Sequence, residues 1–266
     1  MMLSIFLILS LLSGCGINIE DKGKAYSFSY DKVFGPEAKQ LDLYEEIAQL
    51  VQSSLDSFQI CIFAYGQTGS GKTFTMIGTS QEQGMIPRSA DDIFDKIHSL
   101  ETWSYDVHVS VAELYLHTLY DLLAPDKGKV HDLSALSEVL VSNKDDAITL
   151  LEKAFCKRSV SCTMMNEESS GSHLLFRLRL SGSNKDTGPK LGVLNFMDLA
   201  ESKNVIKSGS LDELLDEAKG AAAAVGVSWG WDEEKQKRYA GGLGNGNGQV
   251  LLSGYFGSGF GYFSHI

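Results

Sequence analysis

The sequence is poor in cysteine and lacks glycosylation sites. It has four cysteines among 266 residues, and their spacing fits neither a metal-binding motif nor the framework of a small disulfide-rich domain. We therefore expect reduced, mostly buried thiols. No Asn-x-Ser/Thr sequence occurs, which agrees with a cytosolic location.

Basic charge is also scarce. The chain has 23 Lys and Arg against 34 Asp and Glu, a formal net charge of −11 and a pI near 5.0. Such a balance disfavours non-specific binding to nucleic acid or to other polyanionic surfaces. We expect no nucleic-acid partner.

No apolar run is long enough to span a bilayer. The longest at the N-terminus, 3–12, is followed by Leu12-Ser13-Gly14-Cys15, which is similar to the end of a bacterial lipoprotein signal. The residues before Leu3 include no Lys or Arg, although a basic start belongs to such signals. A cytoplasmic protein without membrane contact is the expectation, and export or lipid anchoring through Cys15 is the alternative.

What is present is an apolar run, Ile60–Tyr65, that leads directly into a phosphate-binding loop. The loop residues are Gly66, Gln67, Thr68, Gly69, Ser70, Gly71, Lys72 and Thr73. A Gly-rich turn between a strand and a helix lets backbone N–H groups converge on a polyphosphate. Lys72 can reach the β- and γ-phosphates, and the Thr73 hydroxyl can bind Mg²⁺. The pattern predicts a nucleoside triphosphate site.

Periodicity places this loop in an α/β domain. Apolar residues at three- and four-residue spacing predict a helix over Leu43–Phe58, and the apolar stretch Leu191–Leu199 predicts a central strand. We interpret Gly84–Pro87 as a turn before a further helix. A helix over Ile148–Ser159 carries Arg158 near its end, where a cation complements the helix dipole.

Two polar segments can complete a nucleotide site, because hydrolysis needs groups that orient water and sense the γ-phosphate. The first is the loop Asn166–His173. The second is Asp198–Ser202, at the carboxyl end of the apolar strand, where Asp198 can hold a water bound to Mg²⁺. Taken singly, each segment also fits an ordinary turn or helix cap.

Together and in this order, these segments resemble the kinesin motor domain. The motifs that carry the resemblance are Phe63–Met76, Tyr30–Phe34 and Gly84–Arg88. Details at Gln49–Asp56 and Leu180–Asn184 are most similar to the minus-end-directed class whose motor lies at the C-terminus, plant members included.

The resemblance implies an α/β fold of the kinesin P-loop NTPase type, a mixed central sheet flanked by helices and incomplete at both ends. The expected domains are an apolar leader at 1–25 outside the motor fold, a partial motor domain at 26–210, and at 211–266 an acidic helix followed by a Gly-rich flexible tail.

The resemblance also implies the site's chemistry. It predicts ATP or ADP with Mg²⁺ at Gly66–Thr73, and Phe74 near the adenine. Asn166, Ser169, Ser170 and Ser172 form the first switch, with Ser169 and Ser170 near Mg²⁺ and the attacking water. Asp198 begins the second switch and contacts Mg²⁺ through water. The implied partner is the microtubule, and the implied location is the cytoskeleton.

Three residues depart from the family pattern. Gly171 stands where kinesins have Arg, and Glu201 and Lys203 stand where they have Gly and Glu. Both partners of the ion pair that closes the site are therefore replaced. The Arg-x-Arg-Pro adenine contact and the helices that form most of the microtubule-facing surface are not recognisable. We expect nucleotide binding without efficient turnover, and weakened microtubule binding. The alternatives are a working microtubule-stimulated ATPase and a non-catalytic partner of another kinesin chain.

Overall fold

The computed structural model describes most of the chain between residues 10 and 200. The described ranges are 10–12, 16–21, 24–29, 32–64, 70–115, 118–126, 128–164, 172–200, 251–254 and 262–265, without side chains in the short terminal strands and at 159–164. Within these ranges no helix combines the length and the apolar character needed to cross a bilayer.

The described elements are twelve strands and four α-helices. In chain order they are β1 Ser10–Leu12, β2 Gly16–Asp21, β3 Lys24–Ser29, α1 Gln40–Leu55, β4 Gln59–Ala64, α2 Lys72–Met76, α3 Met85–Ser99, β5 Ser104–Tyr115, β6 Thr118–Asp121, β7 Gly128–Val130, β8 Val139–Val141, α4 Lys144–Met164, β9 His173–Asn184, β10 Gly188–Asp198, β11 Leu251–Gly254 and β12 Tyr262–His265.

A seven-stranded mixed sheet organises these elements. Its strand order is β4-β10-β9-β5-β6-β7, and β8 pairs with β5 beside this path. β10 runs parallel to β4 and antiparallel to β9, with Asp198 beside Ala64 in the first register and beside Leu174 in the second. Parallel pairing brings the carboxyl ends of β4 and β10 to one edge of the sheet, the edge at which the phosphate loop begins. This confirms the predicted mixed sheet flanked by helices.

Helices α1, α3 and α4 contribute to a large apolar core with one face of this sheet. Ile60 and Ile62 of β4 point into this core, while the intervening Cys61 and Phe63 belong to a second apolar cluster on the other face. All four are buried almost completely. The predicted buried strand before the phosphate loop is therefore confirmed.

Close backbone packing joins α1 to the sheet. A Cβ placed on Gly192 of β10 would lie 1.6 Å from the carbonyl oxygen of Ser54. The backbone at the end of α1 approaches this close because residue 192 has no side chain.

Two boundary predictions are wrong. α1 ends at Leu55. Phe58 fits the apolar period of this helix, but it follows a turn with Ser57 at φ 77° and is 42% exposed. Gly84–Pro87 is not wholly a turn, because α3 begins at Met85. Pro87 is accommodated because a helix's first turn needs no backbone N–H there.

Two smaller sheets are not hydrogen-bonded to the main one, although β11 of one of them contacts β4. β1, β2 and β3 form an antiparallel meander, and β11 pairs with β12. The latter two strands lie in the Gly-rich region, where the sequence shows no strand period. The acidic segment 211–219 lies outside the described residues.

Candidate functional site

The phosphate loop joins β4 to α2, as the sequence pattern predicted. Gly66, Gln67, Thr68 and Gly69 lie outside the described residues, and the description resumes at Ser70. Gly71 precedes α2 with φ 92°, a left-handed conformation that glycine adopts without strain. The corner that would face a polyphosphate thus depends on glycine for its geometry.

Thr73 and Asp198 meet at this corner although 125 residues separate them. The Thr73 hydroxyl donates a hydrogen bond of 2.6 Å to Oδ2 of Asp198. The other carboxylate oxygen, Oδ1, is buried and accepts no hydrogen bond from any described residue. A hydroxyl and a carboxylate are the hard oxygen ligands that Mg²⁺ prefers, directly or through water. The pair therefore fits the predicted magnesium site.

Burial dominates the electrostatics of Asp198. Asp198 is only 6% exposed, and this burial raises the pKa of its carboxyl because it removes the charged form from water. The hydrogen bond from Thr73 lowers this pKa, and so do the nearby positive charges of Arg158 and, to a smaller extent, Lys72. A bound cation would offset the same desolvation, which is a further reason why the site suits one.

Two more residues of the loop carry buried polar groups. Lys72 is only 7% exposed, and its charge stabilises the ionised form of Asp198. The hydroxyl of Ser70 is buried and makes no hydrogen bond to any described residue. An ammonium group and a hydroxyl without a partner among the described residues are suited to phosphate oxygens.

Of the predicted first switch, the structure describes only the end. Asn166, Ser169 and Ser170 lie outside the described residues, as does Gly171. Ser172 is 1% exposed, and its hydroxyl donates to Oε1 of Glu113 at 2.7 Å. Its predicted role in nucleotide binding stays a prediction, because in this structure the hydroxyl is engaged with protein groups.

Arg158 completes a buried network around Ser172. Its Nη2 donates to the Ser172 carbonyl at 2.7 Å and to Oγ at 3.1 Å, and its Nε lies 3.5 Å from Oε1 of Glu113. Our interpretation of Arg158 as a cation at a helix end is wrong. α4 continues to Met164, so Arg158 lies inside the helix and points at the sheet.

Sequence reasoning missed this network, but one signal was available. Glu113 continues the alternation of Val107, Val109 and Val111, which face the helices, and it is 5% exposed. A carboxylate at a core-facing strand position needs a buried partner. The pattern therefore predicts that Glu113 has a buried partner. It does not identify Arg158, which lies 45 positions further along the chain.

A hydrogen bond joins the described ends of the two switch segments. The backbone N–H of Ala200 donates to Nδ1 of His173 at 2.8 Å. His173 follows Ser172 at the start of β9, and Ala200 lies two residues after Asp198. The end of the first segment and the beginning of the second are thus held together next to Thr73. Glu201, Ser202 and Lys203 lie outside the described residues.

Phe74, the predicted neighbour of the adenine, is 45% exposed. Its backbone carbonyl accepts a hydrogen bond of 2.6 Å from Nε2 of Gln40, the first residue of α1. The sequence did not suggest this contact.

Comparisons with known proteins agree with this geometry. The family model described as the kinesin motor domain matches residues 15–223. Kinesin-like protein KIN-14M of Arabidopsis thaliana is 42% identical over 232 residues, which cover 77% of this chain and 31% of that protein. KIN-14N of Oryza sativa subsp. japonica is 42% identical over 229 residues, covering 77% and 30%. KAR3 of Saccharomyces cerevisiae is 36% identical over 223 residues, covering 76% and 30%.

A solved structure of a fast kinesin, described with reference to its ATPase mechanism and its interactions with microtubules, superposes with a TM-score of 0.71. It is 35% identical and the match covers 81% of this chain and 65% of that one. The chain spans about a third of the length of the curated relatives it matches. The expected likeness to the C-terminal-motor class and its plant members is confirmed. These likenesses support descent from a microtubule motor. The chain belongs to the kinesin motor-domain family.

Proposed function

We propose that this chain binds Mg-ATP or Mg-ADP at the phosphate loop, hydrolyses ATP slowly and contacts microtubules weakly. The hydrogen bond of 2.6 Å between Thr73 and Asp198 carries the binding half of the proposal. It brings a phosphate-loop hydroxyl and a buried carboxylate together where β4 and β10 end.

Three residues that the structure describes at the site have roles in this proposal. Lys72 binds the β- and γ-phosphates, Thr73 supplies a ligand to the metal, and Asp198 holds a metal-bound water. Bound Mg²⁺ would neutralise charge that develops on the phosphates. By family resemblance, the first switch completes the site through Asn166, Ser169, Ser170 and Ser172.

Slow turnover follows from three substitutions relative to the family. Gly171 and Lys203 replace the Arg and the Glu that pair across the switches, so the ion pair that closes the site cannot form. Removing both partners spares the fold the cost of about 3 to 5 kcal/mol that one unpaired buried charge imposes. Loss of a group that positions the transition state typically lowers the rate by about 10² to 10³.

Glu201 adds a second obstacle. In kinesins a Gly at this place lets the backbone approach the γ-phosphate. Glu201 brings a Cβ to the point of close approach and a negative charge to the side of an anion. Both effects disfavour the closed state in which the backbone contacts the γ-phosphate. They disfavour binding of ADP less, because ADP has no γ-phosphate.

Weak microtubule contact follows from charge. Kinesins bind the microtubule, whose tubulin surface is acidic, and this chain carries a net charge of −11 with an acidic segment at 211–217. Like charges repel across an interface. The two other functions, an active microtubule-stimulated ATPase and a non-catalytic partner of another kinesin chain, are outcomes of the experiment below.

The test measures affinity for a non-hydrolysable ATP analogue with and without Mg²⁺, for the wild type, Lys72→Ala and Lys185→Ala. Lys185 is a matched control because it is exposed in the turn between β9 and β10, at the opposite end of the sheet from Asp198. We expect Mg²⁺-dependent binding that Lys72→Ala weakens by at least about tenfold and Lys185→Ala leaves unchanged.

Phosphate release, measured on the same samples, tests turnover. We expect little release and little stimulation by microtubules. Turnover comparable to that of an ordinary kinesin would identify an active motor and reject the inactivity. Co-purification with a second kinesin chain, together with nucleotide binding and no turnover, would favour the non-catalytic partner. A well-folded protein without Mg²⁺-dependent affinity rejects the proposal as a whole.

A further inference from the structure

Gln40 lies outside the phosphate loop and both switch segments, yet it contacts the loop's helix. It is the first residue of α1 and is 7% exposed. Its Nε2 donates a hydrogen bond of 2.6 Å to the backbone carbonyl of Phe74, 34 residues further along the chain. Through this contact the start of α1 holds the last turn of α2.

The Phe74 carbonyl needs such a partner because α2 is short. A helix leaves its last carbonyls without intrahelical donors, and α2 ends at Met76. The carbonyl of Thr73 still accepts a hydrogen bond from the backbone N–H of Ile77 at 2.9 Å. The next carbonyl, that of Phe74, accepts from Gln40 instead. The side chain of Gln40 therefore caps the helix that carries Lys72 and Thr73.

Apart from this hydrogen bond, burying the Gln40 amide is destabilising. Its Oε1 is buried and has no hydrogen-bond partner among the described residues. A buried acceptor without a partner is destabilising, and an apolar side chain of similar length would avoid the penalty. Among the described residues, the bond to the Phe74 carbonyl is the one hydrogen bond of this side chain. It also fixes the amide's orientation, since the reverse orientation would place two acceptors 2.6 Å apart.

The ring that this capped turn presents is exposed. Phe74 is a large aromatic residue, 45% exposed, only two residues after Lys72 on the same helix. An aromatic face beside a phosphate site suits a planar base, because bases stack on aromatic rings. The position of the ring depends on the backbone of residue 74, and Gln40 holds that backbone.

We propose that Gln40 is a positioning residue for base recognition: its hydrogen bond to the Phe74 carbonyl holds the Phe74 ring where the base of a bound purine nucleotide stacks. The inference rests on the nucleotide binding proposed above and adds a specific role to a residue outside the motif. Gln40 contributes to the affinity that comes from the base and leaves the affinity that comes from the phosphates unchanged.

The test compares Mg-ATP with Mg-tripolyphosphate, which has the phosphates but neither base nor ribose. Calorimetry gives both dissociation constants for the wild type, Gln40→Met, Gln40→Glu and Phe74→Leu. Gln52→Met is the matched control, because Gln52 is an exposed glutamine near the other end of the same helix.

We expect Gln40→Met to weaken ATP binding by about tenfold while tripolyphosphate affinity changes less than about twofold. Gln40→Glu, which turns an acceptor towards the carbonyl, has the same selective effect, and Gln52→Met leaves the ratio of the two constants unchanged. Because the Phe74 ring is exposed, Phe74→Leu folds and loses the same base-dependent affinity. In its background Gln40→Met has no further effect on the ratio.

Equal weakening of both ligands by the Gln40 variants, or an unchanged ratio, overturns the inference and leaves the nucleotide site intact. An unchanged ratio in Phe74→Leu also overturns it, even if a Gln40 variant does not fold. A wild type that binds neither ligand rejects the proposed nucleotide binding itself, which is a different result.

Discussion

Arg158 donates from Nη2 to the backbone carbonyl of Ser172 at 2.7 Å, and so helix α4 holds the chain at the point where the first switch segment enters β9. The same guanidinium lies beside Glu113, which accepts a hydrogen bond from the Ser172 hydroxyl. This network lies one residue from His173, whose Nδ1 binds the backbone N–H of Ala200. The described ends of both switches are therefore anchored in the core even though the switch loops themselves depart from the family pattern.

The ion pair predicts a strong, non-additive effect on stability. Arg158→Met leaves the Glu113 carboxylate buried without a cation, so we expect the free energy of unfolding to fall by about 3 to 5 kcal/mol. Adding Glu113→Gln recovers part of that loss, because the buried charge is then gone. Urea denaturation measures both. The exposed pair Arg179–Glu138 is the control, and Arg179→Met is expected to cost less than about 1 kcal/mol. Losses that simply add in the double variant contradict the coupling.

We expect Asp198 to lower the free energy of unfolding of the nucleotide-free protein and to support Mg²⁺ binding. Burial raises the pKa of its carboxyl, so the ionised side chain destabilises the nucleotide-free protein relative to a neutral one. Asp198→Asn keeps an acceptor for the Thr73 hydroxyl and should increase the free energy of unfolding at neutral pH. It should also abolish the Mg²⁺-dependent part of nucleotide affinity. Urea denaturation and calorimetry with and without Mg²⁺ check the two effects. A destabilised variant, or one that keeps its dependence on Mg²⁺, contradicts this role.

Gly71 and Gly188 form a matched pair for testing the phosphate loop. Both have positive φ, 92° and 84°, and a Cβ added to either would meet no atom of the described residues within 4 Å. Alanine at either position therefore strains only the backbone, at a cost of about 1 to 3 kcal/mol. We expect similar losses of unfolding free energy, but only Gly71→Ala should weaken nucleotide binding. Equal affinities in the two variants would show that the loop's left-handed corner is not needed by the ligand.

Restoring the family's residues should raise turnover. The triple variant Gly171→Arg, Glu201→Gly and Lys203→Glu rebuilds the ion pair across the switches and removes the side chain from the γ-phosphate approach. We expect phosphate release to increase by about 10². Gly171→Arg alone adds a cation without its partner and should give little gain. If the triple variant is no faster than the wild type, the absence of the ion pair does not explain slow hydrolysis.

Local pattern was sufficient for much of the fold. Apolar residues at helical spacing predicted α1, and the largely apolar runs predicted β4 and β10, because burial selects side chains within a single element. Helix ends were less accurate. Phe58 fits the apolar period of α1 but lies beyond its end, and Met85 begins a helix where Gly and Pro suggested only a turn. Periodicity records which face is buried, whereas the end of an element depends on which neighbours it meets.

By itself, the sequence determined the phosphate loop, the family and the departures at Gly171, Glu201 and Lys203, because each of these depends on the order of adjacent residues. Only the tertiary structure decided which distant residues meet: Thr73 with Asp198 through parallel pairing of β4 and β10, Arg158 with Glu113 and Ser172, and Gln40 with Phe74. The physical reason is that strand register and helix packing fix these contacts jointly, and a side chain's own neighbours in sequence carry no record of the partner that folding brings to it.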